Sequence, residues 1–215
     1  MSTAGVGLKL LPVALLCASA AFASQWEIGG AAGYGAYHDV SVIAPNGTAE
    51  AGIRNRFVLS AVFGEDLYQH LSGEVRYLYQ DGDPFVSAGG IRGNVQGQSH
   101  ALDYSLLFQF RDRERKLRPY VSMGVGAKYY RVSGPEPFPQ PLPDIAALTR
   151  HSQWRALATP GAGLKYRAGR RLLIRGDFRD YITGFPTRVI APVLHGTGHG
   201  IFQQFTILVG ASYWF

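Results

Sequence analysis

Eight times between Trp26 and Phe215 the chain alternates apolar residues with small or polar ones, and this period of two constrains the fold more than any other feature. Successive side chains of a strand point to opposite faces, so each segment reads as a strand with one apolar face. The segments are 26–38, 53–63, 71–80, 100–110, 120–132, 153–166, 172–183 and 204–215. In the first, Trp26, Ile28, Ala32 and Tyr34 oppose Glu27, Gly29, Ala31, Gly33 and Gly35. In the second, Ile53, Phe57, Leu59, Ala61 and Phe63 oppose Arg54, Arg56 and Ser60, and the last sets Phe205, Ile207, Val209, Ala211, Tyr213 and Phe215 against Gln204, Thr206, Gly210 and Ser212. Strands of roughly 10 residues suit a tilted membrane crossing, and an even number brings both ends of the sheet to one side. The reading is all-β: an eight-stranded antiparallel up-and-down transmembrane β-barrel over residues 24–215. A soluble sandwich or lipocalin-like barrel would show the same alternation with its apolar face turned inward.

Three features favour the membrane version. The connections alternate in length, short near 64–70, 111–118 and 168–171, long near 39–52, 81–97, 133–152 and 184–201, as inner turns and outer loops do in membrane barrels. Aromatic residues gather at both ends of the apolar face. Trp26, Phe63, Phe110, Tyr166, Tyr213 and Phe215 lie on the turn side, and Tyr34, Phe57, Tyr79, Tyr129, Trp154 and Phe205 on the loop side, which predicts two interfacial girdles. The opposite face carries charges in nearly every strand, and such girdles would enclose them. Asn55, Arg131 and Asp180 interrupt the apolar face only at loop ends. Pro160 sits mid-strand in a structure without a free edge and predicts a bulge or a local ladder break. The Pro-rich stretch 134–143 reads as an extended outer loop.

Ahead of the strands, residues 1–23 read as a cleaved secretory signal: Lys9, an apolar run from Leu10 to Phe22, and Ala21-Phe22-Ala23 before Ser24, with a cut after Ala20 fitting almost as well. The run is too short for a membrane helix, and Pro12 interrupts it. Cys17 follows Leu16, where a lipobox wants a small residue, so it reads as part of the apolar run; its removal leaves neither disulfide nor thiol nucleophile. Loss of Lys9 takes the net charge from +6 to +5. On an exported chain without a basic helix this balance argues against nucleic acid and for an acidic neighbour such as lipopolysaccharide.

Three stretches carry a family likeness: Arg118-Pro-Tyr-Val-Ser-Met-Gly-Val-Gly-Ala-Lys-Tyr-Tyr130; Gly161-Ala-Gly-Leu-Lys-Tyr-Arg167 followed by Leu173-Ile-Arg-Gly-Asp-Phe-Arg-Asp-Tyr181; and the ending Gly210-Ala-Ser-Tyr-Trp-Phe215. In order and spacing they resemble the OmpA-like outer-membrane β-barrel domain family across essentially the whole mature chain. The resemblance implies a small eight-stranded barrel in a Gram-negative outer membrane, expected as a monomer among outer-membrane lipids. Phe215 on the last strand is similar to the signal read by the barrel-assembly machinery. The chain ends at strand eight, where OmpA continues into a peptidoglycan-binding domain, so the likeness does not imply a wall-tethering role.

Barrels of this kind include structural proteins, adhesins, conduits and lipid A-modifying enzymes, so function has to come from particular residues. No cofactor or metal is expected. His195 and His199 are the only local histidine pair, and the two glycines between them leave no fixed ligand geometry. Ser99-His100 and His151-Ser152 are adjacent, hence on opposite faces of a strand, so neither forms its own dyad; only a dyad between strands would support a lipid A acyl hydrolase or transferase. The enclosed face is more informative. It carries Glu27, Glu74, Asp103 and Asp177 with Arg54, Arg56, Arg76, Lys128, Arg155, Lys165, Arg175 and Arg179. Eight strands leave an interior only wide enough for side chains. The charges therefore read as a structural ion-pair network centred on Arg76, Arg175 and Arg179 with Glu74, Asp103 and Asp177, the alternative being a narrow channel for anions or small apolar solutes. Cations outnumber acids, which puts the surplus at an open, wetted end or on waters. Inward glycines at 29, 33, 35, 124, 126, 161 and 163 would make room for the arginines. The expected role is structural or surface-interacting, not enzymatic, with no open pore.

Overall fold

The computed structural model describes residues 25–193 and 200–215. The signal segment and the His195/His199 pair fall outside the described residues. The strands are β1 (Gln25–Tyr37), β2 (Val40–Ala44), β3 (Gly47–Ile53), β4 (Arg56–Asp66), β5 (Leu71–Asp81), β6 (Pro84–Ala88), β7 (Ile91–Asn94), β8 (Gly97–Gln109), β9 (Leu117–Val132), β10 (Ala146–Leu148), β11 (Ser152–Ala158), β12 (Gly161–Arg167), β13 (Leu172–Gly184), β14 (Ile190–Pro192) and β15 (Ile201–Trp214).

Nine of them make the predicted barrel of eight strands, because β11 and β12 are two halves of one. The order around it is β1, β4, β5, β8, β9, β11 with β12, β13 and β15, and β15 pairs back onto β1, every contact antiparallel. Pairing followed once round from Gly35 passes Thr206, Arg179, Gly161, Ser122, Leu107, Ser72 and Asp66 and returns to β1 at Gln25. This stagger is the shear that tilts strands in a closed barrel. It also means that a line of paired residues descends from the loop end to the turn end as it runs from β15 towards β8.

Pro160 breaks the ladder without a bulge. Ala158 pairs with Val125 and Gly161 with Ser122 in one register, and the Asp180 N–H still donates to the Pro160 carbonyl at 3.0 Å. Only the N–H that proline lacks is missing.

The apolar face points out. Phe57, Leu59, Leu102, Leu106, Val125, Ile207 and Val209 are exposed along the wall. Trp26 stacks on Phe63 at 5.2 Å near the turns, and Tyr129 lies against Trp154 at 4.7 Å near the loops. A continuous exposed apolar belt around a charged interior is what a barrel presents to acyl chains, and it decides against the soluble alternative.

The long connections are not irregular. β2, β3, β6 and β7, from the first two, form a four-stranded antiparallel sheet, and β10 of the third pairs with β14 of the fourth. The β6–β7 hairpin turns on Gly89 and Gly90, whose φ values of +56° and +80° suit the two-residue turn with left-handed central positions. Together these pieces form a cap with its own core, in which Val42, Ala51, Val86, Leu148, Val189 and Ile190 are buried and Tyr37, Tyr130 and Phe202 continue into the barrel mouth. Ile53, expected on the lipid face, belongs to β3 and to this core; the second barrel strand begins at Arg56 and runs on to Asp66. An apolar position cannot by itself distinguish acyl chains from a cap interior.

Candidate functional site

The lumen is occupied at successive heights, each set by inward positions of several strands. Nearest the turns, Ser72 Oγ donates to Asp66 Oδ1 at 2.6 Å and Gln109 Nε2 donates to Ser72 Oγ at 2.6 Å. Arg118 and Arg113 approach Asp66 Oδ2 at 3.4 and 3.3 Å, and the Arg167 guanidinium lies 4.8 Å from the Trp214 ring centre.

Above this layer lies the densest set of charges. Glu74 is its hub. Glu74 Oε1 accepts from Arg76 Nη2 at 2.8 Å and Arg179 Nη2 at 2.9 Å, and its Oε2 faces Arg175 Nη2 at 2.8 Å. Asp177 faces Arg175 Nε at 3.0 Å and Arg76 Nη2 at 3.1 Å and accepts from the Tyr120 hydroxyl. Asp103 lies 3.4 Å from Arg179 Nη1 and accepts from Ser105 Oγ at 2.7 Å and Thr159 Oγ1 at 3.2 Å. Glu27 holds Lys165 and meets Arg175 Nη1 at 3.1 Å. In this layer the cations Arg76, Lys165, Arg175 and Arg179 balance the acids Glu27, Glu74, Asp103 and Asp177 one for one, all of them buried. Such pairing is the condition for keeping ions out of water, because an unpaired buried charge costs several kcal/mol. Small residues make the space: a Cβ on Gly161 would lie 2.7 Å from Arg179 Cγ, and one on Gly163 would lie 2.5 Å from the Tyr120 hydroxyl.

An apolar layer follows, built from Ala31, Val58, Leu78, Ala101, Leu157, Tyr181 and Leu208. Lys128 lies over it, at 0% exposure, bonded to Gln204 and surrounded by the rings of Tyr37, Tyr130 and Tyr181 at 4.6, 5.2 and 5.8 Å. The ring faces supply part of the electrostatic stabilisation that a carboxylate would otherwise give the ammonium.

The remaining predicted interior cations stand apart from the network. Arg56 bonds Asp81 at 2.8 Å and Asp83 at 2.7 Å at the rim, Arg54 lies 3.8 Å from Asp83, and Arg155 reaches the Phe185 carbonyl at 2.6 Å and so ties the fourth loop down. Lys128 is inside but away from the acids. The apparent surplus of cations is thus divided between the wetted rim and the tyrosine box. The pair Arg118–Asp66 lies just beyond the predicted segments 120–132 and 53–63, and Tyr120 is inside its segment but carries no charge to single it out; parity with Ser122 and with Ser60 places all three inward.

The candidate Ser–His pairs do not meet in a strand. Ser99 Oγ lies 3.0 Å from the Tyr37 hydroxyl inside the barrel, whereas His100 faces out, its Nδ1 2.7 Å from the Tyr77 hydroxyl. Ser152 and His151 are both exposed at the loop end.

No protein-family model matches the sequence, and neither does any curated protein sequence. Solved structures do match. OprG from Pseudomonas aeruginosa aligns with TM-score 0.56 at 12% identity, over 90% of this chain and 96% of that one. Neisserial surface protein A aligns with TM-score 0.51 at 12% identity, over 89% and 97%. The outer membrane protein AlkL, determined in lipid bilayers, aligns with TM-score 0.50 at 17% identity, over 88% and 90%. At such identities the likeness is one of fold: this chain has the fold of small outer-membrane barrels, a group of varied roles.

Proposed function

We propose that the protein is an integral outer-membrane barrel, exported by its cleaved signal, that works as a closed wall element carrying a folded surface module, in a structural or surface-interaction role. The observation that carries this reading is the occupied lumen. A balanced ion-pair layer, an apolar layer and a capped mouth lie in series among the described residues, and this filling supports a closed wall over the open water path of a porin. The OmpA-like sequence motifs, the lipopolysaccharide around the loop-side girdle and assembly through the strand ending at Phe215 belong to the same reading. The short turns then face the periplasm and the cap faces outward.

Planar bilayer recording tests the closed state. Silent bilayers, or brief rare openings, are expected; long-lived anion-selective openings of porin size would replace this reading with the channel. Membrane insertion is tested separately. The protein should fractionate with outer membranes and migrate faster unheated than boiled in detergent gels, and a soluble periplasmic protein would overturn it.

A further inference from the structure

At the turn end of the barrel two hollows meet at one residue. The first, of about 420 Å³, is polar and lined by His70, Phe110, Arg111, Asp112 and Arg115. The second, of about 600 Å³, is an apolar groove on the outer wall that starts at the same Phe110 and passes Leu164, Phe178 and Val209. Its floor is low because Gly176 faces outward, with open space where a Cβ would be. The paired line Pro119, Leu164, Gly176, Val209 runs along this groove from β9 to β15, and the stagger of the barrel makes such a line climb from the turn end towards the membrane centre. The groove therefore leaves the polar pocket in the direction an acyl chain leaves its headgroup.

The charge around the pocket is one-sided. Arg111, Arg115, Lys116, Arg170 and Arg171 are exposed on the β8–β9 and β12–β13 turns, where Arg167 N donates to the Lys116 carbonyl at 2.7 Å and so holds the two turns together. The acids among them are Asp112 and Glu114, and Asp112 faces His70 Nε2 at 3.2 Å. His70 is itself placed, with Nδ1 2.9 Å from the Gln109 carbonyl.

We infer that this surface binds one anionic phospholipid of the periplasmic leaflet, with its phosphate between Arg111 and Arg115 and one acyl chain laid in the groove over Gly176. Charge complementarity chooses the headgroup, since guanidinium forks suit phosphate oxygens. Shape chooses the chain, since an unfilled apolar notch facing lipid is filled by lipid. The position chooses the leaflet, and this part rests on the short turns facing the periplasm.

The test is native mass spectrometry of the mature protein released from nanodiscs containing equal phosphatidylglycerol and phosphatidylcholine. One retained phosphatidylglycerol is expected, preferred over phosphatidylcholine roughly thirtyfold, the scale of two basic residues at a membrane surface. The double variant Arg111→Gln, Arg115→Gln should lose the preference, and Gly176→Leu should lower retention of both lipids. Arg92→Gln, a charge lost from the cap, should change neither. Equal retention of the two lipids by the unaltered protein, or an undiminished preference in the double variant, would overturn the inference. So would displacement of the retained lipid by added lipopolysaccharide, since that would place the preferred ligand in the other leaflet. Each variant is first checked for the unheated gel shift, which reports the barrel itself; failure of that shift in the unaltered protein would count against the membrane reading and not against the lipid site.

Discussion

At the scale of single residues, the interior shows two solutions to burying a cation. Arg76, Arg175 and Arg179 share Glu74, so removing that one carboxylate strips three guanidiniums of a partner at once. Glu74→Gln is expected to destabilise the barrel by about 3–5 kcal/mol, the usual consequence of leaving buried charge uncompensated. A urea titration read by the unheated gel shift measures it. Lys128 has no carboxylate within salt-bridge reach and rests on tyrosine rings and Gln204. Lys128→Met keeps the length, leaves no carboxylate behind and should be within about 1 kcal/mol of neutral, or stabilising. Equal losses in the two variants would show that Lys128 is held by more than its surroundings suggest.

At the scale of elements, the barrel strand made of β11 and β12 shows what a proline costs when the register survives. Pro160 and Asp180 form a hydrogen-bonded pair of the antiparallel ladder, of which only one bond is made. Pro160→Val should supply the missing donor to the Asp180 carbonyl without shifting neighbours, because Ala158 and Gly161 already hold one register. A gain of about 0.5–1.5 kcal/mol is expected, the net value of one hydrogen bond. A loss in the same urea titration would mean that the strand needs its break. The cap hairpins have local causes of a similar kind. Gly89-Gly90 fills the turn between β6 and β7, and Pro45-Asn46, followed by Gly47, the turn between β2 and β3; Gly-Gly and Asn-Gly between apolar runs are a signal that could have placed four of the cap strands in advance.

At the scale of the whole molecule, barrel and cap are separable in their effect on permeation. The charge layer and the apolar layer lie below the mouth, so the barrel should remain closed without its lid. Replacing residues 40–52 and 84–94 by short Gly-Ser turns is predicted to leave the gel shift intact and the bilayers silent. Steady conduction by that variant would assign closure to the cap alone.

Strand period, the lipid-facing belt and the common inward face of Glu74 and the arginines lie in the sequence, because in a strand the parity of a position settles which face it shares with its neighbours. Pro160 likewise announces its ladder break by lacking a donor. What parity does not carry is height. Arg56 and Arg155 share a face with Arg76 and Arg179, yet the first two sit at the wetted rim and the last two in the ion layer, and only strand register around the closed ring separates them. Nor does it carry contacts between loops. The cap core joins residues from all four long connections, so Val42, Val86, Leu148 and Val189 become interior only when the barrel brings the four loops to one end. The lipid groove has the same origin, since Gly176 is a notch only beside the side chains of neighbouring strands.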